Sequence, residues 1–432
     1  MPTTPRALLC AVAACLVLPG MIGVAECFSP LHQRLTSSRT TPTVAATHSP
    51  ISDEDSPSEG VPEDISRRSI LASSAGVALS SLLLGSGSLS SFAPPAIAGV
   101  PPDYGTDKRT VVLTGCNSGI GYDAAVRMAA RGHKIVMACR TDEKARDAAA
   151  RVSGDVPGAD VIPAACDLAN LDSVRSFVEG IKPALGEAGG VDALCLNAGL
   201  ARNTAAKEVL RTMEGFELTV GTNHLGHFYL CNLILPQVKK NTGRIVVTAS
   251  GVHDPKSPGG AQGSLATLGD LSGITSGPQF DMVDGGPFDP DKAYKDSKLC
   301  NVLFTRELQR RLDASGVGIK ANCFNPGLIV GTGLFRDQNP LFTKVFDFAA
   351  TDLLKVGEST HWGGGSLEYM TLDRTVGSKG GFYYTSPPGS SKYGDAAFGE
   401  QFAPMQVSEE AQDDAKAKNL WDLSEKLVGL SS

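Results

Sequence analysis

Thr110-Val111-Val112-Leu113-Thr114-Gly115-Cys116-Asn117-Ser118-Gly119-Ile120-Gly121 is the stretch on which the fold turns. Its first four residues are β-branched or apolar and predict a strand buried on both faces. The glycines that follow each have a physical use. Gly115 admits a tight turn, Gly119 lets the backbone approach a bound pyrophosphate, and Gly121 lets a following helix pack closely on the strand. A helix starting near Tyr122 then offers its unpaired N–H groups to phosphate oxygens. A glycine-rich turn without a ligand is the plainer reading, but the strand–turn–helix setting favours the binding one. Gly115, Asn117, Ser118, Gly119, Ile120 and Gly121 are therefore candidate cofactor-binding residues.

Working outward, short apolar runs recur at helix-length intervals. Lys134–Ala138, Val161–Ile162, Val191–Leu196, Arg244–Val247, Ile319–Phe324 and Gly381–Tyr384 all repeat the type. This alternation predicts an α/β fold, a doubly wound parallel sheet of the Rossmann kind, in one domain over 105–430. No internal repeat of 20–50 residues appears.

The second strand selects the cofactor. An NAD-binding chain is expected to place a carboxylate about 20 residues past the glycine turn, to hold the ribose hydroxyls. Here the strand ends Ala138-Cys139-Arg140. A guanidinium at that place suits a 2′-phosphate and leaves no carboxylate to repel it, so NADPH is expected. A solvated Arg at a helix start is the alternative. Asp167, Asn197 and Gly199 complete the candidate cofactor shell on this side.

Tyr294-Lys295-Asp296-Ser297-Lys298 supplies the candidate chemistry. Tyr294 and Lys298 lie four apart on a predicted helix and so share a face. A nearby ammonium is expected to favour the phenolate and lower the Tyr294 pKa. The spacing alone means little, since Tyr104 and Lys108 share it. Context separates the two pairs. Ser250 closes the fifth strand, Asn197-Ala198-Gly199 ends the fourth, Asn223 lies on the helix between them, and Pro326-Gly327 follows the sixth. Open α/β sheets place their sites at such carboxyl ends.

This set resembles the short-chain dehydrogenase/reductase superfamily, whose Asn, Ser, Tyr and Lys tetrad maps onto Asn223, Ser250, Tyr294 and Lys298. The resemblance also makes Tyr294, Lys298, Pro326, Gly327 and Thr332 cofactor contacts. The 43 residues 251–293 between Ser250 and Tyr294 are far more than the superfamily usually has. The insertion, 251–291, reads as a lid or as a disordered loop. Within the superfamily, several strings resemble the light-dependent protochlorophyllide oxidoreductases: Glu214–Leu218 running into Gly221–Phe228, Lys292–Lys298, Thr332–Arg336 and Trp421–Leu430. The resemblance implies reduction of a ring D double bond of a tetrapyrrole pigment by NADPH in light. His227, Leu328 and Phe335 are then candidate pocket residues.

One position departs from that pattern. The family usually has Pro-Gly-Cys after the sixth strand, and this chain has Pro326-Gly327-Leu328. Leucine neither donates a proton nor accepts a hydrogen bond. Gly331 also stands where Thr is expected. Two other readings stay open on that account: an NADPH-dependent carbonyl reductase for a lipophilic substrate, and a pigment-binding thylakoid protein without turnover.

The first hundred residues carry addresses rather than a core. Residues 1–27 hold Arg6 and an apolar stretch interrupted by Pro19 and Gly20, which reads as a signal peptide rather than a membrane anchor. Residues 28–65 begin with Phe28 and a Ser, Thr and Pro-rich segment of transit-peptide composition. Together they resemble the two-part plastid presequence of algae with red-derived plastids. Ser66-Arg67-Arg68, an apolar run and Ala96-Ile97-Ala98 make 66–98 a twin-arginine thylakoid signal or a linker with a weak apolar patch. A plastid, thylakoid-associated chain follows, in peripheral contact with the membrane, with a homo-oligomer open.

Composition sets the outer limits. Of 432 residues, 20% are charged and 42% hydrophobic, as in a soluble globular chain. The net charge of −7 with no long basic run argues against nucleic acid. The ten cysteines include no Cys-x-x-Cys pair, so neither a zinc site nor a disulfide scaffold is indicated.

Overall fold

The computed structural model describes residues 101–185, 190–330, 332–335, 337–338, 343–344, 347–394 and 401–430. The leader segments 1–27, 28–65 and 66–98 lie outside the described residues, as do Gly331 and Arg336.

Seven strands form where the β-branched and apolar runs predict them: β1 Thr110–Thr114, β2 Lys134–Cys139, β3 Val161–Ala165, β4 Ala193–Leu196, β5 Arg244–Thr248, β6 Lys320–Phe324 and β7 Tyr383–Thr385. An eighth, β8 Ala403–Met405, was not expected; its Ala-Pro-Met sequence carries no strand signal. The sheet order is β3-β2-β1-β4-β5-β6-β7-β8. Every neighbouring pair is parallel except β7 and β8, so one antiparallel edge strand closes an otherwise parallel sheet.

Alternate residues of the strands feed two cores. Val112, Val136, Leu194, Leu196, Ile245 and Val247 enter one, while Val111, Leu113, Ile135, Met137, Cys195 and Val246 enter the other. Burial on both faces explains why these strands read as continuous apolar runs. The helices divide accordingly. On one side lie α1 Gly119–Ala130, α2 Asp142–Asp155 and, farther along the chain, α8 Thr360–Leu372. On the other lie α3 Leu171–Leu185, α4 Leu218–Val220, α5 Gly226–Ile234, α7 Pro290–Ser315 and α10 Asp414–Leu427. A π-helical turn, Gly221–Leu225, joins α4 to α5. Two short helices, α6 Ser272–Thr275 and α9 Arg374–Gly377, also lie among the described residues.

The insertion before Tyr294 is built into the core that holds Val112 and Leu194. Ala266, Leu268, Leu271, Ile274, Phe280 and Val283 are all buried there. Polar ties fasten it to α7. Lys292 Nζ donates to Thr267 O at 2.7 Å, the Thr267 N–H donates to Asp296 Oδ1 at 2.9 Å, and Lys295 Nζ donates to Ser264 O at 2.8 Å and to Gln262 O. The segment thus forms an anchored wall beside the catalytic helix.

Candidate active site

Strand order reverses between β1 and β4, and the candidate residues gather at the carboxyl ends there. Gly115 has φ +68 and its N–H donates to Ala138 O at 3.0 Å, which makes the turn. A Cβ on Gly121 would strike Gly115 O and lie 2.7 Å from Asn197 Nδ2, so the helix start packs directly on the strand end. Ser118 caps α1 from an extended conformation and is exposed, with no side-chain bond to the helix. A helix N-terminus without a side-chain cap bond leaves its first N–H groups available, as a phosphate site requires. Asn117 O accepts from Arg151 Nη2 at 2.6 Å.

Arg140 stands exposed just past β2 and makes no ion pair with any described residue. Asp167 spends Oδ1 on the Ala169 N–H at 3.0 Å. Asn197 is a buried tie-bar: Nδ2 donates to Thr114 O at 3.0 Å, while Oδ1 accepts from Thr248 Oγ1 at 3.2 Å. Thr332 reaches across from the loop after β6, its Cγ2 3.3 Å from where a Gly119 Cβ would stand.

The tetrad converges. A Cβ on Gly199 would lie 3.5 Å from Asn223 Oδ1 and 3.6 Å from Lys298 Nζ, which puts the fourth strand's end against both. Asn223 Nδ2 donates to Leu200 O at 2.9 Å and to Ser297 Oγ at 3.0 Å, and its Oδ1 accepts from the Leu200 N–H at 2.9 Å. Its side chain therefore clamps the loop after β4 to α7. Lys298 Nζ donates to Thr248 O at 3.1 Å and sits 5.7 Å from the centre of the Tyr294 ring.

The titrations differ from the expectation. Burial lowers the Lys298 pKa to about 8. Burial raises Tyr294 to about 12, with the Ser250 hydroxyl pulling the other way. Desolvation outweighs the Ser250 hydrogen bond, so Tyr294 keeps its proton at neutral pH.

His227, a candidate pocket residue, is 2% exposed. Its Nδ1 lies 3.0 Å from Asn223 O, an acceptor only, so Nδ1 carries the proton. Nε2, 2.9 Å from Thr114 Oγ1, must then accept the Thr114 hydroxyl proton. The Thr114 oxygen in turn accepts the Asn197 and Ala198 N–H groups at 2.9 and 3.0 Å. Burial holds the ring neutral, with a pKa of about 4. Thr114 and Thr248 are the site residues that sequence reasoning missed; their position as last residues of β1 and β5 is the signal that could have found them.

The loop Pro326-Gly327-Leu328 continues from β6. Gly327 has φ +89 and lies against the Glu358 side chain. Leu328 is half-buried, and its carbonyl accepts from the Glu358 N–H at 2.8 Å. Cys323, buried in β6, has its thiol pushed up to about 12 and cannot stand in for a thiol at 328. Phe335 ends the 3-10 turn Gly333–Phe335, and its side chain lies outside the description.

With this geometry in place, comparison with known proteins is informative. Residues 109–262 match the family described as short chain dehydrogenase. The chain is 39% identical over 349 residues to the chloroplastic protochlorophyllide reductase of Chlamydomonas reinhardtii, covering 79% of this chain and 82% of that one. It is 37% identical over 356 residues to protochlorophyllide reductase A of Oryza sativa subsp. japonica, covering 78% and 87%. Among solved structures, an uncharacterized protein from Mycobacterium paratuberculosis superposes with a TM-score of 0.52 at 30% identity, covering 74% of this chain and 93% of that one. The chain belongs to the protochlorophyllide reductase family of short-chain dehydrogenases.

Proposed function

We propose that the chain reduces the ring D double bond of protochlorophyllide to give chlorophyllide, using NADPH and light, in a plastid. The observation that carries this is the convergence of Asn223, Ser250, Tyr294 and Lys298 beside a dinucleotide turn, in a chain 39% identical to a protochlorophyllide reductase. NADPH, when bound, supplies a hydride.

The chain's own residues do the rest. The N–H groups of Cys116–Gly121 bind phosphate, and the crowding at Gly121 fits this role because only a bare backbone lets helix and turn meet. Arg140, without an ion-pair partner among the described residues, binds the 2′-phosphate. Lys298, charged below about pH 8, holds ribose hydroxyls. Tyr294 presents a proton at its hydroxyl. Leu328 offers the pigment an apolar surface, and the anchored insertion keeps water from the Tyr294 side. The plastid-type leader and the chloroplastic relatives support the location, to which peripheral thylakoid contact and a homo-oligomer are added.

The test mixes the full chain with NADPH and protochlorophyllide, in darkness and under illumination. A red-shifted product only in light is expected. Tyr294→Phe should bind NADPH yet give no product, since only the hydroxyl is lost. Leu328→Cys should raise the product yield per absorbed photon. NADPH oxidation with a ketone in darkness, or a spectral shift without turnover, overturns the proposal. Co-sedimentation with thylakoids and light-scattering mass check the last two points.

A further inference from the structure

Two thiols meet at the cofactor turn and have no part in the scheme above. Cys116 follows Gly115 in the turn, and Cys139 ends β2 one residue before Arg140. Their sulfurs are 3.6 Å apart. Thr114 pairs with Ala138, and the Gly115 N–H donates to Ala138 O at 3.0 Å, so the two cysteines leave adjacent parallel strands side by side. Both are buried, Cys116 fully and Cys139 at 1% exposure, so a reagent reaches them only when the turn opens; the other described cysteines, 166, 195, 231, 300 and 323, are buried too.

The surroundings favour a thiolate at one of the two. The Cys116 thiol donates toward Cys139, and Arg151 and Lys144 of α2 add positive charge, so Cys139 is held below its ordinary value while burial raises Cys116. Arg151 also grips Asn117 O, tying this charge to the turn itself.

We propose that Cys116 and Cys139 form a dithiol switch, closed to a disulfide by small-molecule disulfides and weakening NADPH binding when closed. The second half rests on the cofactor assignment made above. In the reaction, the Cys139 thiolate attacks one sulfur of the reagent and expels one reagent thiolate, leaving a mixed disulfide. Cys116 gives its proton to the expelled thiolate and attacks Cys139 Sγ, expelling the second thiolate, which takes a proton from solvent. Two protein thiols are oxidised and one reagent disulfide is reduced to two thiols.

The geometry decides which part moves. A disulfide needs about 2.05 Å between sulfurs, so roughly 1.5 Å must close. Cys139 is held within the sheet, paired with Ala165, and its carbonyl accepts from the Cys166 N–H at 2.7 Å. Cys116 lies in the turn. The turn therefore moves toward β2 and draws its N–H groups away from the phosphates, while Arg140 is pinned beside them.

The experiment equilibrates the full chain in glutathione redox buffers, with and without saturating NADPH, then alkylates it and maps the peptides. A Cys116–Cys139 disulfide is expected at the oxidising end. NADPH should bind the oxidised chain about tenfold more weakly, and reduction should restore it. By linkage, that tenfold raises the couple's midpoint potential by about 30 mV when NADPH saturates the protein. Cys116→Ala should lose the response of NADPH affinity to the buffer. Both thiols remaining alkylatable in the most oxidising buffer overturns the switch, as does a disulfide that leaves NADPH affinity unchanged. Failure of the reduced chain to bind NADPH instead overturns the cofactor assignment, and peptide mapping separates the two.

Discussion

In the proposed scheme Arg140 carries the choice of cofactor on one side chain. It is exposed, follows β2 directly and makes no ion pair with the described residues. Changing Arg140→Asp removes a cation and places a carboxylate where a 2′-phosphate would sit. NADPH affinity should fall at least a hundredfold while NADH affinity changes less than fivefold, as read by fluorescence titration; equal losses would return Arg140 to the surface. His227 is the contrasting case, a histidine in an apolar helix whose role the sequence did not disclose. Only burial, the flanking Thr114 hydroxyl donor and the Asn223 carbonyl acceptor reveal a brace between Thr114 and Asn223. His227→Leu takes the ring acceptor from the Thr114 hydroxyl and the ring donor from Asn223 O, at a cost of about 1–3 kcal/mol in all. Urea unfolding should show that loss, with no gain in activity toward any pigment. The Tyr294 titration was illegible for a related reason: motif spacing places Lys298 nearby but does not disclose the burial that raises the hydroxyl.

At the scale of elements, the catalytic helix was the most legible part. Asp289 accepts from the N–H groups of Asp291 and Lys292, Pro290 opens α7, and Gly316 ends it at φ +67, all signals present in the sequence. The insertion packed on that helix was not legible, because its order comes from buried polar ties rather than periodicity. Asp296 is the centre of these ties, with Lys292 Nζ 2.5 Å from its Oδ2 and the Thr267 N–H on Oδ1. Burial nonetheless raises its pKa from 3.8 to about 7, the Lys292 charge opposing. A raised folded-state value means that the folded chain holds a proton the unfolded chain releases. The resulting stability is full below about pH 4 and is lost as pH rises through about 7. Asp296→Asn should remove this slope. The difference in unfolding free energy between wild type and variant should therefore change by up to about 1.4 kcal/mol per pH unit from pH 4 to 7, measured by urea titration. A constant difference across that range would show that the Lys292 pairing dominates instead.

Over the whole molecule, the sheet divides two apolar cores, and the chain's last helix completes one of them. The alternation of strands and helices was enough to give that architecture. The antiparallel edge β8 and the partner of α10 were not in it, since three residues of Ala, Pro and Met carry no pattern and long-range packing leaves no spacing to read. Trp421 of α10 meets Phe228 edge-on at 4.8 Å and stacks on Phe304 at 5.8 Å, and Arg311 covers its ring at 4.5 Å. Phe228 belongs to α5, three residues past the π-helical turn that holds Asn223, and His224 of that turn bonds Ser424 of α10 at 3.0 Å. The tail thus supports the active site from beneath, although no tail residue is among the proposed catalytic or binding groups. Trp421→Ala should cost about 3–5 kcal/mol, since a large buried ring leaves a cavity that packed neighbours fill only in part. The π-helical turn loses its floor at the same time, so kcat should fall more than the affinity for NADPH, whose turn and Arg140 lie on β1 and β2. Trp421→Phe keeps an aromatic face against Phe228 and should recover most of both stability and turnover. Thermal melts with and without NADPH, together with illuminated turnover, measure the two effects separately; full turnover in a folded Trp421→Ala chain would show that α10 is a stabilising cover with no hold on Asn223.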